Sequence, residues 1–163
     1  MNKWINYFMT VAKDTAQLSK DPNTKVGAVL VKNRRIKSTG FNGAPQSFPD
    51  ELVPQVSGDK LIEQKNTFMC HAELNAVLNY DGKVSDLSEC TLYTTISPCS
   101  HCAKMLAEVG IKRVIYLEEY HRSEETDAAK YIFKVCGVDY ISYDSINKEE
   151  KEGNYSITHY AKA

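Results

Sequence analysis

The chain has 163 residues, 42% hydrophobic and 25% charged, which suits a single soluble globular domain over residues 1–163 and excludes a disordered or low-complexity polypeptide. A net charge of −1 and a pI near 6.4 give no basic footprint for gripping a nucleic-acid polymer, and the short cluster Lys32, Arg34, Arg35 and Lys37 reads as a solvated hairpin tip. No apolar run reaches the ~20 residues of a membrane helix and the N-terminal stretch lacks a secretory h-region, so no membrane partner and a cytoplasmic location are expected.

Residues 4–18 place Trp4, Tyr7, Phe8, Val11, Ala12 and Leu18 near a helical period, predicting an amphipathic first helix that Asp21-Pro22-Asn23 breaks. The apolar run 26–31 predicts a buried strand, with Asn33 and Arg34 turning it into a second strand over 35–41. From Asn42 to Asn66, three prolines and two glycines with no sustained period predict a long loop, with one short helix near Asp59–Gln64. Loops of that length either cover a binding site or are plain surface insertions, and composition does not choose between them. Helical spacing resumes with Ala72, Ala76, Val77 and Tyr80. Residues 90–96 read as a strand, 99–109 as a helix stopped by Gly110, and 113–117 as a fourth strand. A helix over 124–136 ends at Gly137, residues 138–142 form a fifth strand, and the chain after Asp144 is polar without a clear element. Strands alternating with helices after an opening hairpin predict an α/β layered domain.

Five cysteines cannot pair completely within one chain, which points to reduced thiols. Cys70, Cys90 and Cys136 adjoin apolar residues and are expected in the core. Cys99 and Cys102 form a Cys-x-x-Cys at a predicted helix start, where positive partial charge favours thiolates. By itself that spacing serves a metal or a thioredoxin-like redox pair equally well. His71-Ala72-Glu73 at another predicted helix start breaks the tie. His-x-Glu followed by Pro98-Cys99-x-x-Cys102 is the signature of zinc-dependent nucleobase deaminases, and a redox site has no use for its first half. Three ligands (His71, Cys99 and Cys102) leave the fourth position of a catalytic zinc open, unless Cys70, Cys90, His101 or His121 closes it. An open position lets zinc lower the pKa of a water toward ~7, and Glu73 is the carboxylate placed to carry its proton.

Further segments carry a resemblance. Ser19–Asn23, Val26-Gly27-Ala28, Gly40-Phe41-Asn42-Gly43 with Pro45, Cys70–Ala76, Leu92-Tyr93, Pro98-Cys99, Cys102-Ala103-Lys104, Gly110-Ile111-Lys112, Tyr120-His121 and Gly137-Val138 are similar to the deoxycytidylate (dCMP) deaminase family of the cytidine deaminase superfamily, over about residues 5–141. The resemblance implies a three-layer α/β/α fold around a mixed five-stranded sheet. It implies hydrolytic deamination of dCMP to dUMP with release of ammonia, supplying dUMP for thymidylate synthesis. It also implies a homohexamer activated by dCTP and inhibited by dTTP, with Mg2+ accompanying the effector. Glu73 is then the catalytic proton shuttle and His71, Cys99 and Cys102 the metal ligands. Asn42 bonds the deoxyribose, Tyr120 lines the pocket, and the Ala72 N–H and Ser97 carbonyl read the pyrimidine edge. Gly40, Phe41, Asn42 and Gly43 lie near the effector site. Taken as ordinary residues, Asn42 is a turn residue and Tyr120 a half-buried aromatic. Some phage members hold a second zinc through a His two residues before the catalytic one; Met69 stands there here, so one zinc per chain is expected.

A monophosphate substrate calls for a cation in the pocket. Of Lys25, Lys104 and Lys112, Lys25 is the choice, since it begins the strand after the Asp21–Asn23 turn. The competing readings are a tRNA adenosine deaminase, a cytosine or cytidine deaminase, and a non-catalytic zinc-stabilised or redox scaffold.

Overall fold

The computed structural model describes residues 3–54, 58–121 and 123–146. The elements are α1 (Lys3–Ala16), β1 (Gly27–Lys32), β2 (Arg35–Phe41), α2 (Ala72–Leu78), β3 (Thr91–Ile96), α3 (Ser100–Val109), β4 (Arg113–Glu118), α4 (Ser123–Cys136) and β5 (Asp139–Ser142). Short 3-10 turns occupy Asp50–Leu52, Leu61–Glu63, Lys65–Thr67 and Val84–Leu87. The polar tail from residue 147 lies outside the described residues.

The five strands form one mixed sheet in the order β2-β1-β3-β4-β5. β1 is antiparallel to β2 and β3, and β3, β4 and β5 run parallel. Asn33 and Arg34 have φ of 53° and 59°, both left-handed, as a two-residue hairpin turn requires. Alternate side chains on each strand leave on opposite faces, and the sequence supplies apolar residues for both. Ala28, Leu30, Leu92 and Val114 meet α2, α3 and α4, whereas Val29, Val31, Tyr93 and Ile115 meet α1. This is the three-layer α/β/α architecture, in which the central strands are buried on both sides.

The packing differs from the sequence expectation in two places. The buried stripe of α1 is Ile5, Phe8, Met9, Ala12, Thr15 and Ala16; Trp4, Tyr7 and Leu18 are exposed. Trp4 stacks on Phe8 at 5.8 Å and carries the Arg34 guanidinium over its outer face, so the aromatic ring seals the edge of the stripe instead of entering it. Cys90 is buried, but Cys70 is only partly so and Cys136 is exposed, because the last residues of α4, Lys134, Val135 and Cys136, face solvent.

Gly40 fixes the seat of α2. A Cβ there would lie 2.2 Å from the Ala76 nitrogen and 2.4 Å from the Ala72 carbonyl oxygen, so the helix backbone rests directly on β2. Asn75 and Asn79 then donate side-chain N–H groups to the carbonyls of Phe41 (2.7 Å) and Thr39 (3.1 Å), tying the helix along the strand. Gly40→Ala must push α2 off the sheet. The expected cost is ~2–3 kcal/mol of unfolding free energy, read as a lowered urea midpoint; an unchanged midpoint would show that the helix can shift without loss.

Candidate metal centre

His71 and Cys99 occupy equivalent places: each is the extended residue immediately before a helix, with φ/ψ of −73°/154° before α2 and −74°/173° before α3. Such N-cap side chains usually fold back onto the free N–H groups of the first turn. Neither does so here, and both point across to each other. His71 Nδ1 lies 3.5 Å from Cys99 Sγ and 3.4 Å from Cys102 Sγ, and the three ligand atoms lie within 4.8 Å of one another. Tetrahedral zinc with bonds of ~2.0 Å to nitrogen and ~2.3 Å to sulfur needs an N···S separation of roughly 3.6 Å. The spacing and the two-sulfur, one-nitrogen donor set therefore fit that ion. Among the described residues, Cys70, Cys90, His101 and His121 do not join the cluster, so it offers three ligands and an open side.

The two thiols share a proton unequally. The hydrogen bond from Cys102, with help from His71, holds Cys99 down at about 4, whereas donating that bond and being buried push the Cys102 thiol far up. The hydrogen bond to Cys99 raises the His71 pKa. Glu73, in the first turn of α2, is 4% exposed, and burial raises its carboxyl above the usual range while His71 pulls the other way. A second carboxylate braces the centre: Glu125 on α4 accepts the N–H of Ser100 at 3.1 Å, beside Cys99.

These groups form one end of a cleft of about 630 Å³ that Asn42, Ala72, Ser97 and Tyr120 also line. Ser97 accepts the Tyr120 N–H on its hydroxyl at 2.8 Å, and the Thr126 hydroxyl donates to the Tyr120 carbonyl at 2.9 Å, so that residue's backbone is pinned on both sides. Asn42 is buried and works within the protein. Its Oδ1 accepts the Val26 N–H at 2.8 Å, and its Nδ2 donates to the Thr24 carbonyl at 2.9 Å. Lys25 is exposed and is not among the residues lining the cleft, although Thr24 and Val26 are, since alternate side chains of extended chain leave on opposite sides.

Two cleft residues carried no expectation of a site role. Asp21 is the hub of the loop after α1: its Oδ1 accepts the N–H groups of Asn23 (2.9 Å) and Thr24 (3.1 Å). Lys65 Nζ bonds both carboxylate oxygens, at 2.9 and 2.8 Å. Burial alone would raise the Asp21 pKa, but Lys65 and the two N–H groups outweigh it and hold it below the ordinary carboxylate value. The Asp-x-Asn-Thr spacing is an Asx-turn signal for the first role; Lys65, 44 positions away, has no local signature.

A second cavity of about 750 Å³ lies beyond this pair, sharing Asp21, Lys65 and Met69 with the cleft and reaching Phe41, Gly43 and Phe48. Phe41 and Gly43 therefore face a cavity, whereas Gly40 is filled by its contact with α2.

Residues 2–118 match the family described as the cytidine and deoxycytidylate deaminase zinc-binding region. Deoxycytidylate deaminase of Mus musculus is 38% identical over 92% of this chain and 91% of its own length, and that of Homo sapiens 37% over the same shares. The crystal structure of dCMP deaminase from the cyanophage S-TIM5, in complex with dCMP and dUMP, superposes with a TM-score of 0.68 at 30% identity, covering 87% of this chain and 98% of that one.

Since the shared hydrogen bond holds Cys99 low and pushes Cys102 up, so that the pair keeps a proton, loading zinc at pH 7 is expected to release at least one proton per ion. Calorimetric titration in buffers of different ionisation enthalpy reads this directly; zero net release would mean that both thiols were ionised beforehand.

Proposed function

The chain belongs to the cytidine and deoxycytidylate deaminase zinc-binding family and is a zinc-dependent hydrolase, and from that premise we propose that it hydrolyses dCMP to dUMP and ammonia. The observation that carries the reading is the three-ligand cluster with buried Glu73 opening into a nucleotide-sized cleft, in a chain similar over most of its length to deoxycytidylate deaminases.

His71, Cys99 and Cys102 hold the zinc, which when bound supplies the Lewis acidity that makes water a nucleophile near neutral pH. Glu73 takes the proton of the attacking water, delivers it to the pyrimidine ring nitrogen, and then passes the proton of the newly added hydroxyl to the departing amine. A carboxyl raised by burial suits this shuttle, because each transfer requires a group that both accepts and releases. The Ala72 N–H and the Ser97 carbonyl read the pyrimidine edge, and Tyr120 covers the ring. Asn42 has an Oδ1 lone pair left for the sugar hydroxyl, and its remaining bonds fix the loop that frames the cleft.

Activation by dCTP, inhibition by dTTP, hexameric assembly and a cytoplasmic setting complete the proposal. The second cavity, beside Phe41 and Gly43 and sharing a wall with the cleft, gives an effector room to act. No described helix is long and apolar enough to cross a membrane.

Glu73→Gln is expected to lower kcat for dCMP by ~10²–10⁴-fold or more with one zinc still bound per chain, whereas Cys99→Ser loses the metal. Ammonia release beside metal analysis checks both; normal activity in the Glu73→Gln enzyme would leave only a zinc scaffold. On a panel of dCMP, CMP, deoxycytidine, cytosine and tRNA, dCMP is expected to give the highest kcat/KM. Titrating dCTP and dTTP should shift the dCMP saturation curve in opposite directions, and a hyperbola unmoved by either would remove the regulatory part.

A further inference from the structure

The wall between the two cavities is a carboxylate–ammonium pair, and its chemistry bears on how a phosphate is accommodated. Asp21 has a 3% exposed side chain, is hydrogen-bonded by two backbone N–H groups, and lines the cleft. A buried carboxylate in that position repels a phosphate dianion unless a cation stands between them. Lys65 is that cation. Its side chain is 17% exposed, and its Nζ spans both Asp21 oxygens at 2.8 and 2.9 Å.

Among the described residues lining the cleft, Lys65 is the sole lysine or arginine. An ammonium has three N–H donors. Two are directed at Asp21, which leaves one for a ligand. The carboxylate does not depend on Lys65 alone, since Asn23 and Thr24 bond it as well. The ammonium can therefore lean toward a second anion without stranding the first.

We propose that Lys65, held in place by Asp21, is the specificity-determining residue that recognises the 5′-phosphate of the nucleotide in the cleft. The assignment rests on the dCMP reading above and gives the substrate's phosphate its partner. It takes the role expected for Lys25, whose side chain is exposed and away from the cleft lining. It also explains the length of the segment between β2 and α2: its last 3-10 turn, Lys65–Thr67, delivers the ammonium to a loop 44 positions earlier in the chain.

The test uses the zinc-loaded full chain and two competitive inhibitors, dUMP and deoxyuridine, against dCMP turnover. In the wild type dUMP is expected to bind more tightly than deoxyuridine. Lys65→Met should weaken dUMP by about tenfold or more while deoxyuridine moves less than about threefold, the range for losing one charge-assisted hydrogen bond. The KM for dCMP should rise in parallel, with the loss in KM and not in kcat. Lys65→Arg, which keeps the charge, should retain most of the preference for dUMP. Equal weakening of both inhibitors by Lys65→Met would assign Lys65 a purely structural role and overturn the proposal. So would an unchanged dUMP constant, or a change confined to the dCTP response, which would move the ammonium's function to the second cavity. If Lys65→Met fails to load zinc, Lys65→Arg decides alone: loss of the dUMP preference in a fully loaded enzyme overturns the assignment. A wild type that does not deaminate dCMP at all fails the functional reading itself, an outcome visible before any variant is made.

Discussion

Three donor atoms can grip one small ion only if the backbones bearing them are held within a few ångströms, and most of this fold serves that requirement. His71 and Cys99 are separated by 28 positions yet sit at the mouths of two helices that start side by side. α2 reaches its place because Gly40 lets it lie backbone to backbone on β2 and because Asn75 and Asn79 tie it there. α3 reaches its place because β3 and β4 are parallel neighbours, so the crossover between them has to pass over the face that α2 also covers. No strand supplies a member of the His71, Cys99 and Cys102 cluster; the sheet decides where two helix starts converge.

Positioning by helix starts has an electrostatic side as well. The first turn of each helix presents N–H groups without internal partners, and a sulfur held toward its thiolate form, as at Cys99, is a group that such ends favour. Glu125 takes the Ser100 N–H, so one donor at the start of α3 is claimed by a neighbouring helix. The sulfur atoms remain directed at His71. Burial of Glu73 beside this cluster raises its carboxyl, which is the property that the proposed proton carrier needs and that a solvated helix residue lacks.

How much of this was legible in the sequence follows the range of the interactions. β2, the hairpin turn at Asn33 and Arg34, and the stop at Gly110 rest on local backbone preferences and lie where the residues indicate. The cluster of His71, Cys99 and Cys102 is readable because His-x-Glu and Cys-x-x-Cys encode their geometry within one turn of chain each. The stripe of α1 was less legible: large aromatic residues mark a face by composition, but Trp4 and Tyr7 border the core without entering it. Lys65 was not legible at all, since nothing near it in the chain announces Asp21. Lys25 is exposed and outside the cleft lining, since a position next to a loop does not fix the direction of its side chain.

The two helical layers also close at different moments along the chain. The helices that carry the metal ligands and the strands beneath them are complete by residue 118. The α1 layer is not: its apolar cluster includes Ile146, and the Tyr143 hydroxyl donates to Asn6 Oδ1 at 2.7 Å, across 137 positions. During synthesis from the N-terminus, α1 thus emerges well before the segments that complete its cover. Phe8 and Met9 stay incompletely shielded until the residues just after β5 have emerged, which makes the α1 face the aggregation-prone one while the nascent chain is still growing.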